Sequence, residues 1–176
     1  ASMKKRYAII GLGSRARMYV DALANTHKDH GDLVALCDIN QTRMDAHVRR
    51  LKTEHDFPPI PTYAPSDFVR MIKENRVDTV IVTTIDRTHH RYIIKAMEAG
   101  CDVITEKPMT IDEEKCTAIY DAIERTGRDL RVTFNYRYAP RSSTVKRLLL
   151  DNVIGSIKSI HFERLLNTRH GADYIK

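Results

Sequence analysis

The chain has little of what marks a membrane, secreted or disulfide-stapled protein. No apolar run approaches the roughly 20 residues needed to cross a bilayer. The basic start, Met3-Lys4-Lys5-Arg6, is followed only by Tyr7 to Gly13, too short an apolar region for a secretory leader. Ala1 and Ser2, ahead of that methionine, read as a cloning remnant. Cysteine is scarce: Cys37, Cys101 and Cys116 form an odd set without C-x-x-C spacing, which speaks for reduced core thiols in a cytoplasmic protein. Internal repeats and low-complexity segments are also missing. The net charge of +6 raises nucleic acid as a partner, but the basic residues are spread along the chain and aromatic residues do not interleave with a basic cluster. A diffusely basic surface, or a small anionic ligand, accounts for the charge instead. No histidine or cysteine group has metal-ligand spacing; His27 with His30, or His161 with His170, supplies too few ligands.

What is present is an alternation. The 176 residues are 42% hydrophobic and 30% charged, the balance of a globular protein with one good core and the beginning of a second. Strand-like runs at Tyr7–Gly11, Asp32–Cys37, around Ile60–Tyr63, Asp78–Thr83, Asp102–Thr105 and Leu130–Asn135 are separated by helical patterns. The helices are expected at Arg15–Asn25, Gln41–His55 with an apolar stripe of Met44, Val48 and Leu51, and a short one lined by Phe68, Val69 and Ile72 and capped by Ser66. Two more are expected at Thr88–Ala99, ended by Gly100, and at Asp112–Thr126, with Cys116, Ile119, Tyr120 and Ile123 on one face and Gly127 as its stop. Strand and helix in turn imply an α/β, doubly wound parallel sheet of order 3-2-1-4-5-6 over residues 3–135. Residues 136–176 read as the start of a second, α+β domain, with a helix from Pro140 to Leu150. From Gly155 a half-exposed strand is expected, carrying Ile157, Ile160 and Phe162 on one face. A lone strand cannot bury that face, so the chain is expected to be a fragment or to borrow a partner.

Chemistry concentrates at the strand ends. "IIGLGSRARMY" puts Gly11 and Gly13 after the first strand and Ala16 three residues on, the G-x-G-x-x-A form of the dinucleotide fingerprint. Gly11 permits the tight turn, Gly13 lets backbone approach a pyrophosphate, and Ala16 lets helix pack on strand. Ser14 and Arg15 lie on the same turn, where helix N–H groups and the dipole favour phosphate. Arg15 and Arg17 can meet the phosphates or stand as solvated helix charges. Asp38, 22 residues beyond Ala16 at the end of the second strand, can accept bonds from ribose hydroxyls and repel a 2′-phosphate, or serve as a helix or turn cap before "INQT". NAD is thereby favoured over NADP, which stays open through Arg43. Thr83, Thr84, Asp86 and His89 follow the fourth strand, Glu106 and Lys107 the fifth, and Asn135 and Arg137 the sixth.

The stretches "AIIGLGSRARMY", "VIVTTIDRTHHRYIIKAMEAGCDVITEKPMT" and "VTFNYRYAP" together resemble the Gfo/Idh/MocA oxidoreductases, typified by glucose-fructose oxidoreductase and inositol dehydrogenases, from Tyr7 to Phe162. The resemblance implies a Rossmann domain and nicotinamide-dependent oxidation or reduction at a carbinol or carbonyl carbon of a sugar, cyclitol or related molecule. Lys107 matches the signature lysine that contacts the reacting hydroxyl and assists proton transfer, and Glu106 the acid that helps hold cofactor ribose and lysine. His89 matches a histidine packed near the cofactor, and Asn135, Arg137 and Tyr138 the cofactor and substrate wall. A cis Lys107-Pro108 bond is expected from the same likeness, as is assembly of the full-length form into homo-oligomers. Relatives continue into an open-faced antiparallel sheet bearing a catalytic Asp-x-x-x-His pair, which Arg169, His170 and Asp173 do not reproduce. An NAD-using glycosidase of the same family and a non-catalytic dinucleotide-sensing module are the alternative readings.

Overall fold

The computed structural model describes residues 4–163 and Leu165. Six strands, β1 (Lys5–Ile10), β2 (Gly31–Cys37), β3 (Thr62–Tyr63), β4 (Thr79–Val82), β5 (Asp102–Glu106) and β6 (Leu130–Thr133), form one sheet. Their order is β3-β2-β1-β4-β5-β6 and every pairing is parallel, as the alternation predicts. The helices are α1 (Ala16–Asp21), α2 (Gln41–His55), α3 (Phe68–Glu74), α4 (His89–Glu98), α5 (Glu113–Thr126) and α6 (Pro140–Leu150). The chain divides into two compact units, one ending at Phe134 and the other beginning at Asn135.

In the first unit, successive strand side chains point to opposite faces, so β1 feeds two cores at once. Ala8 and Ile10 join Val80, Val82, Phe68, Met71, Ile93, Met97 and Ile119 on one side. Ile9 joins Leu12, Ala16, Val20, Leu36, Met44 and Leu51 on the other. A strand covered on both faces has no polar side to show, which is why β4 reads as an unbroken apolar run and is buried throughout. Cys37 and Cys101 are buried free thiols within the first of these cores. No helix of the described residues is long and apolar enough to cross a membrane.

Local chemistry fixes where the helices start and stop. α2 begins at Asn40, whose side chain accepts the Arg43 N–H at 3.1 Å. α5 begins at Asp112, which accepts the Lys115 N–H at 2.9 Å, and ends at Gly127 with φ +64, a left-handed position where glycine carries no penalty. Three expectations need correction. The first helix is α1 followed by a wider π-helical turn, Ala22–Thr26, instead of one regular helix. Ser66 lies inside a 3-10 turn, Pro65–Asp67, so it is not in the extended position from which a cap reaches back, and no side chain caps α3. Tyr120 is 58% exposed: α5 buries Ile119 and Ala122, and the residue beside Ile119 is rotated off that arc.

The second unit holds a 3-10 turn, Asn135–Tyr138, then α6 with Pro140 at its first turn. α6 buries no side chain, and Val145, Leu148 and Leu150 are exposed. The strand expected from Gly155 does not form over residues 155–163, where Ile157, Ile160 and Phe162 are exposed. Alternation specifies which face a strand would bury, but a strand exists only by pairing, and this segment has no ladder partner among the described residues. Arg169, His170 and Asp173 lie outside the described residues.

Candidate functional site

The carboxyl ends of β1, β2, β4 and β5 meet around the glycine turn. Gly11 has φ +89, and a Cβ there would stand 2.5 Å from the Thr84 nitrogen and 2.7 Å from the Thr83 carbonyl carbon. The first fingerprint glycine is therefore required twice, by its backbone angle and by the exit of β4 pressed against it. A Cβ on Gly13 would have no heavy atom within 4 Å, so the turn leaves open the space in which a pyrophosphate would approach backbone. Ala16 is fully buried beneath the turn, packed with Ile9 and Val20. Ser14 is exposed.

Asp38 closes the turn from the β2 side. Its side chain is 3% exposed; one carboxylate oxygen accepts the Leu12 N–H at 2.5 Å and the other accepts the Asn40 N–H at 2.7 Å. The cap of α2 belongs to Asn40, while Asp38 caps the turn before it through the Asn40 N–H and also ties the glycine turn to the end of β2. A carboxylate offers about four lone-pair sites. With two taken by backbone and Arg43 standing 3.8 Å away, acceptor capacity remains.

On the other side stands the Glu106-Lys107 step. The two adjacent side chains differ in exposure: Glu106, the last residue of β5, is 5% exposed, and Lys107, just past the strand end, is exposed. Glu106 Oε1 accepts the Tyr19 hydroxyl at 3.0 Å and faces Arg15 Nε at 3.6 Å. Glu106 Oε2 accepts the backbone N–H of Lys107 at 3.2 Å. Among the described residues no acceptor or carboxylate pairs with the Lys107 ammonium. The Lys107-Pro108 peptide is cis.

Thr83 donates its hydroxyl to the Gly11 carbonyl at 2.6 Å, and Thr84 Oγ1 accepts from Thr88 at 2.9 Å. His89, the first residue of α4 and 1% exposed, has Nδ1 2.9 Å from the Pro108 carbonyl oxygen and Nε2 3.0 Å from that of Thr84. It fastens the loop after β4 to the turn after β5 and has no ring nitrogen left over for a ligand. Asn135 and Arg137 sit on the 3-10 turn of the second unit, Asn135 half-buried and Arg137 exposed.

A cleft of about 260 Å3 lies beside the glycine turn, lined by Gly13, Ser14, Arg17, Arg43, His47 and Arg50 among others. His47 and Arg50 were not anticipated, although Arg43, His47 and Arg50 follow i, i+4, i+7 and so share one face of α2. Burial, reinforced by Arg50, holds the His47 imidazole below its usual range. Tyr19 was missed too; its spacing of four from Arg15 puts both on the side of α1 that meets the end of β5. Asp21, Glu54 and His55 bring ligand-type atoms within 4.8 Å of one another, but Arg50 stands 2.5 Å from Asp21 and 3.2 Å from Glu54, and Arg17 pairs with both acids. The guanidinium groups already supply the positive charge that a cation would bring. His27 and His30 have ring centroids 6.2 Å apart and no third ligand-type residue grouped with them.

This arrangement of glycine turn, strand-end acid and lysine matches a known family over most of the first unit. The model of an oxidoreductase family with an NAD-binding Rossmann fold, GFO_IDH_MocA, fits residues 5–134. The chain belongs to that family. Among its members, YteT of Bacillus subtilis is 31% identical over 173 residues, covering 98% of this chain and 40% of YteT. Glycosyl hydrolase family 109 protein 1 of Akkermansia muciniphila is 30% identical over 156 residues, 88% of this chain and 32% of that protein. The crystal structure of myo-inositol 2-dehydrogenase from Lactobacillus plantarum superimposes with a TM-score of 0.75 at 25% identity, over 88% of this chain and 43% of that one. The chain thus spans less than half the length of each of these relatives.

Proposed function

We propose that the chain is the dinucleotide-binding part of an NAD(P)-dependent oxidoreductase that moves a hydride between nicotinamide and the carbinol carbon of a sugar, cyclitol or related molecule. The observation that carries this reading is the contrast at the end of β5: a buried Glu106 held by hydrogen bonds on both oxygens beside an exposed Lys107 whose ammonium has no partner among the described residues. A bound nicotinamide supplies the hydride acceptor. In the reductive direction the Lys107 ammonium gives a proton to the carbonyl oxygen as hydride reaches its carbon, leaving a neutral amine, and in the oxidative direction that amine takes the hydroxyl proton as hydride departs. Gly11, Gly13, Ser14 and the backbone entering α1 at Ala16 hold the pyrophosphate. Asp38 meets the adenosine ribose, and Glu106, braced by Arg15, meets the ribose beside nicotinamide. Thr83, Thr84 and His89 keep the strand ends in register beneath it. The inositol dehydrogenase likeness favours a polyhydroxylated ring as substrate.

Two observations favour variants of this reading. Likeness to a glycosyl hydrolase supports a glycosidase in which a transient sugar oxidation enables elimination. The basic cleft beside Ser14, in which Arg50 Nη2 is buried without a partner, supports a 2′-phosphate and hence NADP. Fluorescence titration of the chain with NADH and with NADPH tests both cofactors. Saturable NADH binding is expected, retained in Lys107→Ala; no saturable binding of either nucleotide overturns the reading. In a longer chain carrying these residues, Lys107→Ala lowers turnover by roughly 10²-fold or more, the contribution expected of a general acid-base group, with little change in NAD affinity. A Lys107→Ala enzyme that turns over normally removes the lysine from the mechanism.

A further inference from the structure

Tyr19 plays no part in the fingerprint or the signature, yet it holds the most constrained hydroxyl at the site. Its oxygen lies 3.0 Å from Glu106 Oε1 and 2.9 Å from Thr133 Oγ1, while Thr133 also lies 3.2 Å from the Thr105 carbonyl oxygen. The phenol has one proton to give. An ionised carboxylate has none, so the bond to Glu106 forms only if Tyr19 donates; the single Thr133 proton then goes either to the phenol oxygen or to the Thr105 carbonyl, not to both. Burial above all pushes the Tyr19 phenol up to about 12, with the neighbouring Glu106 adding to the rise and Thr133 opposing it. The hydroxyl is thus a permanent donor at working pH.

The direction of that bond matters because of what it prevents. Glu106 and Lys107 are neighbours in sequence, and a buried carboxylate that loses one of its donors gains by turning toward a cation, which the Lys107 ammonium, unpaired among the described residues, offers. Tyr19, with Arg15 one turn earlier, draws Oε1 toward α1, while the Lys107 backbone N–H holds Oε2. We infer that Tyr19 is a positioning residue that keeps the Glu106 carboxylate turned to the glycine turn and off the Lys107 side chain, leaving the acid to the cofactor and the ammonium to the substrate. The inference rests on the roles given above to Glu106 and Lys107.

Tyr19→Phe removes one oxygen and keeps the ring, and it is tested in the 176-residue chain by two readouts. Reductive methylation of Lys107, followed by mass spectrometry against Lys52 as an internal standard, slows by about threefold as Glu106 swings onto the ammonium, the scale of an exposed ion pair. Loosening of structure alone would speed it. Adding Glu106→Gln to Tyr19→Phe restores the wild-type labelling rate. In parallel, NADH binds about tenfold more weakly, as expected for loss of a hydrogen bond to a charged group, while ADP, which has no nicotinamide ribose, binds unchanged. Labelling of Lys107 at an equal or faster rate in Tyr19→Phe overturns the positioning role. Equal weakening of ADP and NADH does so as well, since it would make the phenol a general support of the turn. If the wild-type chain bound no NADH, the cofactor reading itself would fail, and the labelling comparison would still decide what Tyr19 does to Lys107.

Discussion

Two buried carboxylates flank the glycine turn, and they are held in opposite ways. Asp38, at the end of β2, is gripped by backbone: the N–H groups of Leu12 and Asn40. Glu106, at the end of β5, is gripped mainly by side chains: the Tyr19 hydroxyl and the Arg15 guanidinium, with one backbone N–H from Lys107. A backbone-held acid is part of the turn's own architecture and cannot move without it. A side-chain-held acid can be re-aimed by single substitutions elsewhere. In the proposed site the adenosine side is accordingly built as scaffold, and the nicotinamide side as an adjustable arrangement.

The largest effect should come from removing the scaffold acid. Asp38→Ala strands two backbone donors in a buried place, and each unsatisfied group costs about 1–3 kcal/mol. A stability loss of roughly 2–4 kcal/mol in urea denaturation is expected, together with loss of the preference for NADH over NADPH. Glu106→Gln is the smaller lesion: the amide oxygen still accepts from Tyr19, while the attraction to Arg15 and the bond from the Lys107 N–H, which the amide NH2 cannot accept, are lost; about 1–2 kcal/mol is expected. If Glu106→Gln destabilised the fold more than Asp38→Ala, the contrast between scaffold and adjustable acid would be inverted.

What could be foreseen divides along the same line. The sheet order, the glycine turn and the acid after β2 were legible because each depends on local pattern: apolar runs of strand length, glycines at fixed offsets, an acid at the next strand end. Tyr19 was not legible, because its partner lies 87 positions away and becomes a neighbour only once α1 and β5 are both laid on the sheet. His89 was foreseen near the cofactor, but that its two nitrogens would go to carbonyls of two different loops depends on tertiary placement. At Gly155 pattern misled: alternation was present, and the pairing that makes a strand was not.

The thiol beside the scaffold acid gives a sharper probe of its rigidity. Burial, with the Asp38 charge next, pushes the Cys37 thiol up to about 12, and burial pushes Cys101 up to about 11. Both should resist iodoacetamide at pH 8 in the folded chain, since the thiolate is the nucleophile, whereas half-buried Cys116 should be modified first. Asp38→Ala should expose Cys37 to alkylation well before Cys101, as mass spectrometry of the labelled peptides would reveal. Simultaneous labelling of the two would mean that the loss of Asp38 loosens the whole sheet and not its β2 end alone.

The smallest effect belongs to a third carboxylate, which is held by side chains as Glu106 is, but at the surface. Asp21 has a side chain 37% exposed and is bonded by His55 at 3.0 Å and Arg50 at 2.5 Å. Partial burial pushes its carboxyl upward, but the bonds from His55 and Arg50 outweigh this and hold it below the usual carboxylate range. A carboxyl more acidic in the folded than in the unfolded chain stabilises the fold above its unfolded value, and that contribution disappears as pH falls through the lower folded value. Asp21→Asn should therefore change the urea midpoint only slightly at pH 7 and flatten its decline below about pH 4, where free aspartate protonates. An acid limb identical in the two chains would mean that solvent screening cancels the network, leaving side-chain grip consequential only where, as at Glu106, water is excluded.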